Sequence, residues 1–572
     1  MPNPIEPGDP VVAPPRSGSR AQTPASLGSA VRVVSLLTIG SRIGGLIRDV
    51  ATVRVFGDTW IGSAFAAAFA VPNMFRRLFG EGALSAAFIP PYAALDRDDP
   101  AAAARFASRT MRLLVLVTVG ATLLAEIGIA LLLWLLPPEP ERVLSLRLLL
   151  LLMPFMPMVC STAILGAMLQ VHGRFAPGAA APILLNLCIV LAALPFFFSD
   201  DGDPIATAYI IGAATLVAGA AQVAWTLAAL RRHVRWTRDT AGTGEPMRAL
   251  GKRFGPVVVG LGTIQLNSLI DTFIAMWPVW VGATMFGMAC PLDGASNSIL
   301  TYTQRLYQFP LGVFGIAVAT AAFPMLARAA GDGAAVIGTL RRAMRLSLFI
   351  GVPASVGLLL VGPDLIGVLY GRGEGGTGFS ADGAARSAAV LAGYGVSVWA
   401  YSLNHVSTRA FYARGDTATP MRVAMGIVGL NLALNLSLIW WLREAGLAWA
   451  TGISAVVQCV VLLTILARRH RTDLDAGGAI IDAATARGIG RIVLATAIMG
   501  AAVWIGLRLA GGEGGSWWWR AGRLAAGVGL GGLVYGAVVL AGRAPEVRWL
   551  LERPRVTPGD SAASDGDTLA ST

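Results

Sequence analysis

Apolar runs recur along the whole 572-residue chain. They are rich in Leu, Ala, Val and Gly and do not alternate with period two, so they read as helices rather than strands. Many are long enough to cross a hydrocarbon layer about 30 Å thick at about 1.5 Å per residue. In lipid only helices and closed barrels satisfy their own backbone. The pattern predicts helices near 30–55, 61–94, 110–136, 144–170, 177–199, 205–230, 252–288, 297–327, 342–368, 385–413, 418–441, 445–467, 489–510 and 522–543. The second, seventh and eighth contain breakers or polar residues and are expected to bend. The predicted fold class is an all-α integral membrane protein with about 14 transmembrane helices. Residues 1–29, rich in Pro, Gly, Ser and Ala and without the apolar core of a secretory signal, read as a disordered tail. So does the polar stretch from Val556 to Thr572.

Loop charge orients the helices. Basic residues cluster after the second helix (Arg97, Arg105, Arg109, Arg112), after the sixth (Arg231, Arg232, Arg235, Arg238, Arg248, Lys252, Arg253), after the eighth (Arg328, Arg341, Arg342, Arg345) and after the twelfth (Arg468, Arg469, Arg471, Arg487, Arg491). The intervening loops are poor in them, as in the acidic stretch 199–204. Since Lys and Arg mark the cytoplasmic side, both termini are expected inside. This alternation also accounts for most of the +12 net charge, so nucleic acid is not needed as a partner. Composition agrees: 55% hydrophobic, 14% charged, mean hydropathy +0.64. The four cysteines have no metal-ligand spacing.

A weak internal repeat divides the chain. Gly173-Arg174-Phe175-Ala176-Pro177 precedes an apolar helix with Asn186; Gly415-Asp416-Thr417-Ala418-Thr419-Pro420 precedes one with Asn431 and Asn435. Arg76-Arg77-Leu78-Phe79 resembles Gln304-Arg305-Leu306-Tyr307. The expected organisation is a 1–29 cytoplasmic tail, an N-lobe of six helices (30–230), a basic cytoplasmic loop (231–251) and a pseudo-symmetric C-lobe of six helices (252–467). A cytoplasmic loop (468–488), two further helices (489–543) and a cytoplasmic tail (544–572) follow. Lobes of this kind enclose a central cavity where substrate binds.

Charged residues inside membrane helices are costly and face a cavity or a partner. The first helix carries Ser41, Arg42, Arg48, Asp49 and Arg54; the second carries Asn73, Arg76, Arg77, Glu81 and Ser85; the eighth carries Arg305. Arg42 and Asp49 are seven apart and share a face, as do Ser41 and Arg48. Arg77 and Glu81 are spaced for an i,i+4 pair. Internal salt bridges or snorkelling account for some arginines. Basic residues nevertheless exceed acidic ones on these helices, and the planar guanidinium suits phosphate and carboxylate, so an anion-binding cavity is expected. Asp271 on the seventh helix either pairs with an arginine, binds a proton or binds a cation; Gln265, Asn267 and Thr272 offer oxygens nearby in sequence. Asp416, at a helix start, is the second cation candidate, though capping is its stronger reading. A drug exporter should have an acidic cavity, and a membrane glycosyltransferase needs acidic residues in sizeable extramembrane loops. Neither is seen.

The run Ser41-Arg42-Ile43-Gly44-Gly45-Leu46-Ile47-Arg48-Asp49, then Phe56-Gly57, then Pro72-Asn73-Met74-Phe75-Arg76-Arg77-Leu78-Phe79-Gly80-Glu81-Gly82 through Phe88-Ile89-Pro90, closely resembles the start of the MurJ/MviN family. These are lipid II flippases of the MOP exporter superfamily. Further matches, in family order, are His172-Gly173-Arg174-Phe175, Gln304-Arg305-Leu306-Tyr307-Gln308-Phe309-Pro310 and Phe411-Tyr412-Ala413-Arg414-Gly415-Asp416. The resemblance implies a transporter, not an enzyme, that moves lipid II (undecaprenyl-pyrophosphate-linked disaccharide-pentapeptide) across the inner membrane by alternating access. It implies that Arg42, Arg48, Arg76 and Arg305 hold the anion, with Ser41, Asp49, Asn73, Arg77 and Glu81 beside them. It implies a cation site at Asp271, hence Na⁺ or H⁺ coupling with the membrane potential acting on the charged cavity, no bound organic cofactor, and a lipid-tail groove at 489–543. Membrane lipids and the cell-wall synthesis machinery are the partners it suggests. A flippase for another polyprenyl-linked glycan and a non-transporting scaffold remain alternatives. Two departures stand out: Ser63 and Ala70 replace charged residues that many or some members carry. Residues Trp277–Ser296 form a longer link than usual.

Overall fold

A computed structural model describes residues 24–80, 83–198, 202–329, 332–372, 377–469, 479–511 and 516–551. The helices are α1 (Pro24–Phe56), α2 (Trp60–Gly80), α3 (Ala83–Asp98), α4 (Pro100–Leu135), α5 (Pro140–Leu152), α6 (Phe155–Val171), α7 (Ala176–Phe198), α8 (Pro204–Leu230), α9 (Gly244–Ala275), α10 (Trp277–Trp280), α11 (Ser296–Pro310), α12 (Ile316–Arg328), α13 (Gly333–Leu369), α14 (Ala381–Gly395), α15 (Val398–Ala413), α16 (Ala418–Leu442), α17 (Glu444–Arg469), α18 (Ala483–Leu509), α19 (Trp517–Ala541) and α20 (Pro545–Leu551). Among the described residues, nine spans are long and apolar enough to cross a membrane by length and composition. The other five predicted spans are the polar or broken ones.

The breaks follow the chemistry. Proline lacks the N–H that would extend the ladder and its ring crowds the preceding turn. Pro154 accordingly separates α5 from α6, and Pro310 ends α11 in a π-helical turn, Leu311–Gly315, before α12. Such turns recur at functional sites. The seventh predicted helix is corrected: it stops at Ala275, and after α10 a two-stranded antiparallel hairpin, β1 (Thr284–Met285) and β2 (Met288–Ala289), replaces helix to 288. The third span begins ten residues earlier than predicted because the Asp99 side chain accepts from the N–H groups of Ala101 and Ala102, with Pro100 in the first turn. Arg105, Arg109 and Arg112 therefore lie on α4 and not in a loop. The expected disordered tail is helical from Pro24, and residues 1–23 lie outside the described residues. At the far end, α20 is helical where a tail was expected; its buried Glu546 pairs with Arg345 on α13 at 2.5 Å.

One apolar cluster unites α2–α8, from Phe65 and Phe88 to Ile164 and Ile211. Two more hold α11–α17, around Tyr370, Tyr394 and Leu447 and around Leu340, Val406 and Leu462. Leu250 and Phe254, at the start of α9, pack into the first cluster, so α9 is rooted in the N-lobe before it crosses to the C-lobe. Helices α18 and α19 pack on each other and on α13 through Val361, Met499 and Val503.

Candidate functional site

The site is built on α1, whose glycine-rich face lets α7 come close. A Cβ at Gly44 would lie 3.5 Å from Asn186 Nδ2, so the two helices meet at the amide of Asn186. That amide donates to Ser41 O (3.1 Å) and accepts from Arg48 Nη1 (3.1 Å). Arg48 also donates through Nε and Nη2 to Asp49 Oδ1 (3.0 and 2.6 Å) and lies 5.4 Å over the ring of Phe69. Its guanidinium is therefore fixed on three sides. Across the lobe boundary Arg305 Nε stands 3.8 Å from Asp49 Oδ2. These groups, with Thr52, Phe65, Ala70, Thr301 and Tyr302, line an open space of about 420 Å³ between the lobes. Arg42 reaches the same boundary: a Cβ at Gly312, in the π-turn, would lie 2.5 Å from its Nη1. Arg76 Nε donates to Asn73 Oδ1 at 2.8 Å, which puts these two on one face of α2.

Asp49 is the acidic partner shared by Arg48 and Arg305, and it is buried. The cavity wall thus presents more guanidinium than carboxylate. Two charged donors from different lobes, converging on one space, suit a multivalent anion that spans both. The side chain of Arg77, and Glu81 as a whole, lie outside the described residues, so their predicted pair is not described.

Asp271 is buried in the C-lobe, and its partners come from other helices rather than from Gln265, Asn267 or Thr272. Asn435 Nδ2 donates to Asp271 Oδ1 at 2.6 Å and to Asn431 Oδ1 at 3.0 Å. The Thr451 hydroxyl lies 3.5 Å from Asp271 Oδ2 and donates to Leu447 O at 2.9 Å. Thr272 bonds Ser268 O on its own helix. The Oδ1 atoms of Asn435 and Asn267 are buried without a partner. Asp416 behaves differently: it accepts from the Thr419 N–H at 2.9 Å and pairs with Arg469 on the surface. Burial opposes the charge on Asp416, but these bonds outweigh it and hold its carboxyl below the usual range.

At the end of the lobes where α2 and α11 begin, the two halves are joined. Ser63 Oγ accepts from the Ser298 N–H (2.9 Å), Ser63 O accepts from Asn297 Nδ2 (3.0 Å), and Ser298 Oγ donates to Gly57 O (2.8 Å). Asp58 accepts from the N–H of Ser380 (2.8 Å) and from its hydroxyl. Sequence reading noted Ser63 only as a departure; it sits at this junction.

The family described as "Lipid II flippase MurJ" matches residues 52–516. This chain belongs to that family. A "Probable lipid II flippase MurJ" of Rhizobium tropici is 32% identical over 475 residues, covering 82% of this chain and 84% of that protein. The structure titled "Lipid II flippase MurJ, inward closed conformation" superposes with a TM-score of 0.71 at 22% identity, covering 89% of this chain and 98% of that one. An inward-facing MATE multidrug transporter of the MOP superfamily shares the fold at a TM-score of 0.55. The MurJ family membership makes the chain a transporter and not an enzyme. Arg48 and Arg305 converge on one space, Arg42 lies against Gly312 at the lobe boundary, and Asp271 and Asp416 are not among the residues lining that space. Asn186, Asn431 and Asn435 were visible in the sequence only as part of a repeat. An asparagine deep in an apolar run was the signal that they bond something.

Proposed function

We propose that the chain carries lipid II from the cytoplasmic to the periplasmic leaflet of the inner membrane by alternating access, with both termini cytoplasmic. The observation that carries this reading is the Arg48–Asp49–Arg305 cluster, with a fixed guanidinium from the N-lobe and a second from the C-lobe. A pyrophosphate, with oxygens on both sides, ties the lobes together in one state and releases them in the other. Arg42 and Arg76 supply further positive charge beside it. The apolar faces of α18 and α19, where Leu494, Leu509, Leu533 and Leu540 are exposed, fit a polyprenyl chain that stays in lipid during transfer. The relatives matched over four-fifths of the chain support lipid II over another polyprenyl-linked glycan.

The test is depletion of the native flippase from a bacterium expressing this chain, with periplasmic exposure of lipid II as readout. Wild type restores exposure. Arg48→Ala and Arg305→Ala, at matched membrane levels, do not; full flipping by either removes the arginine mechanism.

A monovalent cation is the second part of the proposal. One carboxylate among neutral amide, hydroxyl and carbonyl oxygens suits Na⁺ rather than a divalent ion, which draws more carboxylates. Among the described residues no group of three or more His, Cys, Asp or Glu is placed to hold a metal ion. The unpartnered Asn435 Oδ1 is the fit test. Rotating that amide would aim an oxygen, in place of a donor, at Asp271 and Asn431. Asp271, Asn431, Asn435 and Thr451 would hold the ion, and its charge would neutralise Asp271 and join α9 to α16 and α17. Replacing KCl by NaCl at constant ionic strength should raise the Tm of the wild type and leave that of Asp271→Asn unchanged.

A further inference from the structure

The transport cycle above makes no use of the segment between α9 and α11. Its base is fixed to the N-lobe. Trp280 Nε1 donates to Ser145 Oγ (2.8 Å), Arg142 Nε donates to Trp280 O (3.2 Å), and Trp277 Nε1 donates back to Thr284 O (2.9 Å). Arg142 is buried and also held by Pro137 O and by Glu139, each at 3.1 Å, so the platform is rigid. Ser145 lies five residues inside α5. At about 1.5 Å per residue, the base therefore sits about 7.5 Å along that helix from its outer end. The headgroup layer of one leaflet is about 5–7.5 Å deep, half the difference between a hydrocarbon core of about 30 Å and a full bilayer of about 40–45 Å, so for a span that starts at Pro140 the base lies at its inner edge.

The tip faces away from the protein. Phe286 is 68% exposed and Met288 52% exposed. Phe286 and Gly287 both have positive φ, 53° and 79°, which makes a two-residue hairpin turn. Glycine adopts this readily, but the first position normally takes Asn, Asp or Gly, and a bulky aromatic there is strained. Among the described residues the ring neighbour of Phe286 is Trp277, 6.4 Å away. The apolar surface continues from this pair to the half-exposed Phe273 on the membrane helix α9, 5.9 Å from Trp277. Trp134 and Leu135, at the adjoining end of α4, are exposed as well.

We propose that β1–β2 is an interfacial wedge, with Phe286 and Met288 inserted among lipid chains of the adjacent leaflet and Trp277 and Trp280 at headgroup level. Tryptophan with its apolar face in lipid and its N–H bonded is typical of that layer. The occupant is the bilayer itself because the tip is continuous with a surface that already faces it. Calling the leaflet periplasmic rests on the orientation proposed above; the wedge does not depend on which lipid is carried.

A photo-reactive phenylalanine analogue placed at position 286, in purified full-length protein in phospholipid nanodiscs without lipid II, tests this. Illumination should add one phospholipid mass to the protein, as at Leu124, an exposed apolar position on α4. It should add none at Asp382, an exposed position on the same face as the hairpin. Position 288 carries the same probe if the 286 variant does not accumulate. A tip that behaves like Asp382, or that yields only a discrete protein adduct in native membranes, overturns the proposal. Flipping activity does not enter the readout, so failure here is distinct from failure of the transport assignment.

Discussion

Arg48 shows how a half-buried charge becomes a tool rather than a liability. Removing one partner from a hydrogen-bonded charge costs about 1.5–3 kcal/mol, so Asn186→Ala should weaken lipid II binding by roughly 10- to 100-fold while the helices still assemble. Titration of purified protein with lipid II by native mass spectrometry measures this. Gly312 predicts the complementary case. Gly312→Ala places a methyl where the Arg42 guanidinium lies, and the flexible side chain moves aside. Lipid II affinity should fall, by about tenfold if one charged contact is lost, with Tm nearly unchanged. His172, at the end of α6, carries a pH prediction. Tyr92 lies 3.1 Å from its Nε2, Asp96 3.6 Å from its Nδ1, and the His233 ring 5.0 Å away. Burial, opposed by Asp96 and aided by His233, holds its pKa below the usual 6.5. A histidine depressed in the fold contributes stability that is full above the unfolded value and is lost as pH falls through the folded one. The wild-type Tm should therefore drop between neutral pH and pH 5, and the drop should be smaller in His172→Gln.

The elements divide into rigid spans and deliberate breaks. Helices α7 and α16 occupy corresponding places in the two lobes, and each uses buried asparagines to hold a charge on the first helix of its lobe: Arg48 on α1, Asp271 on α9. One architecture thus supports an anion site in one half and a carboxylate site in the other. The α2–α11 junction is the second element-scale device. Ser63→Ala leaves the buried Ser298 N–H unpaired, a cost of about 1–3 kcal/mol borne only by the joined state. The ratio of separated to joined lobes at that end should rise about 5- to 100-fold, read as a larger long-distance fraction between spin labels on α2 and α14 in pulsed electron resonance.

On the scale of the whole molecule, the proposed orientation in the membrane rests on the distribution of charge. Hydrogen bonds from Arg109 to Thr243 and from Arg112 to Arg238 O, and an ion pair between Arg341 and Asp482, tie the basic segments to their surroundings. Acidic Asp293 and Glu444 on the opposite face are paired with Arg386, and Asp293 also with Arg443. Alkaline phosphatase fused near residue 240 should be inactive and a fusion after 551 likewise. The enzyme inserted at Gly282 should be active; the reverse pattern would invert the proposed orientation.

The sequence by itself determined the class of the fold and the approximate spans, and its loop charges set the expected orientation. Periodicity, length and loop charge are local properties that the bilayer reads residue by residue. It also marked Arg42, Arg48, Arg76, Arg305 and Asp271, because an ionisable group inside an apolar run stands out wherever it points. Only the tertiary structure decided which of these meet. Asp49 bridges Arg48 to an arginine 256 positions away, Asp271 finds Asn435 and Thr451 rather than its sequence neighbours, and Ser63 bonds Ser298. Those contacts depend on how two lobes pack, and a glycine against a guanidinium or a proline that opens a π-turn acquires meaning only once the second surface is in place.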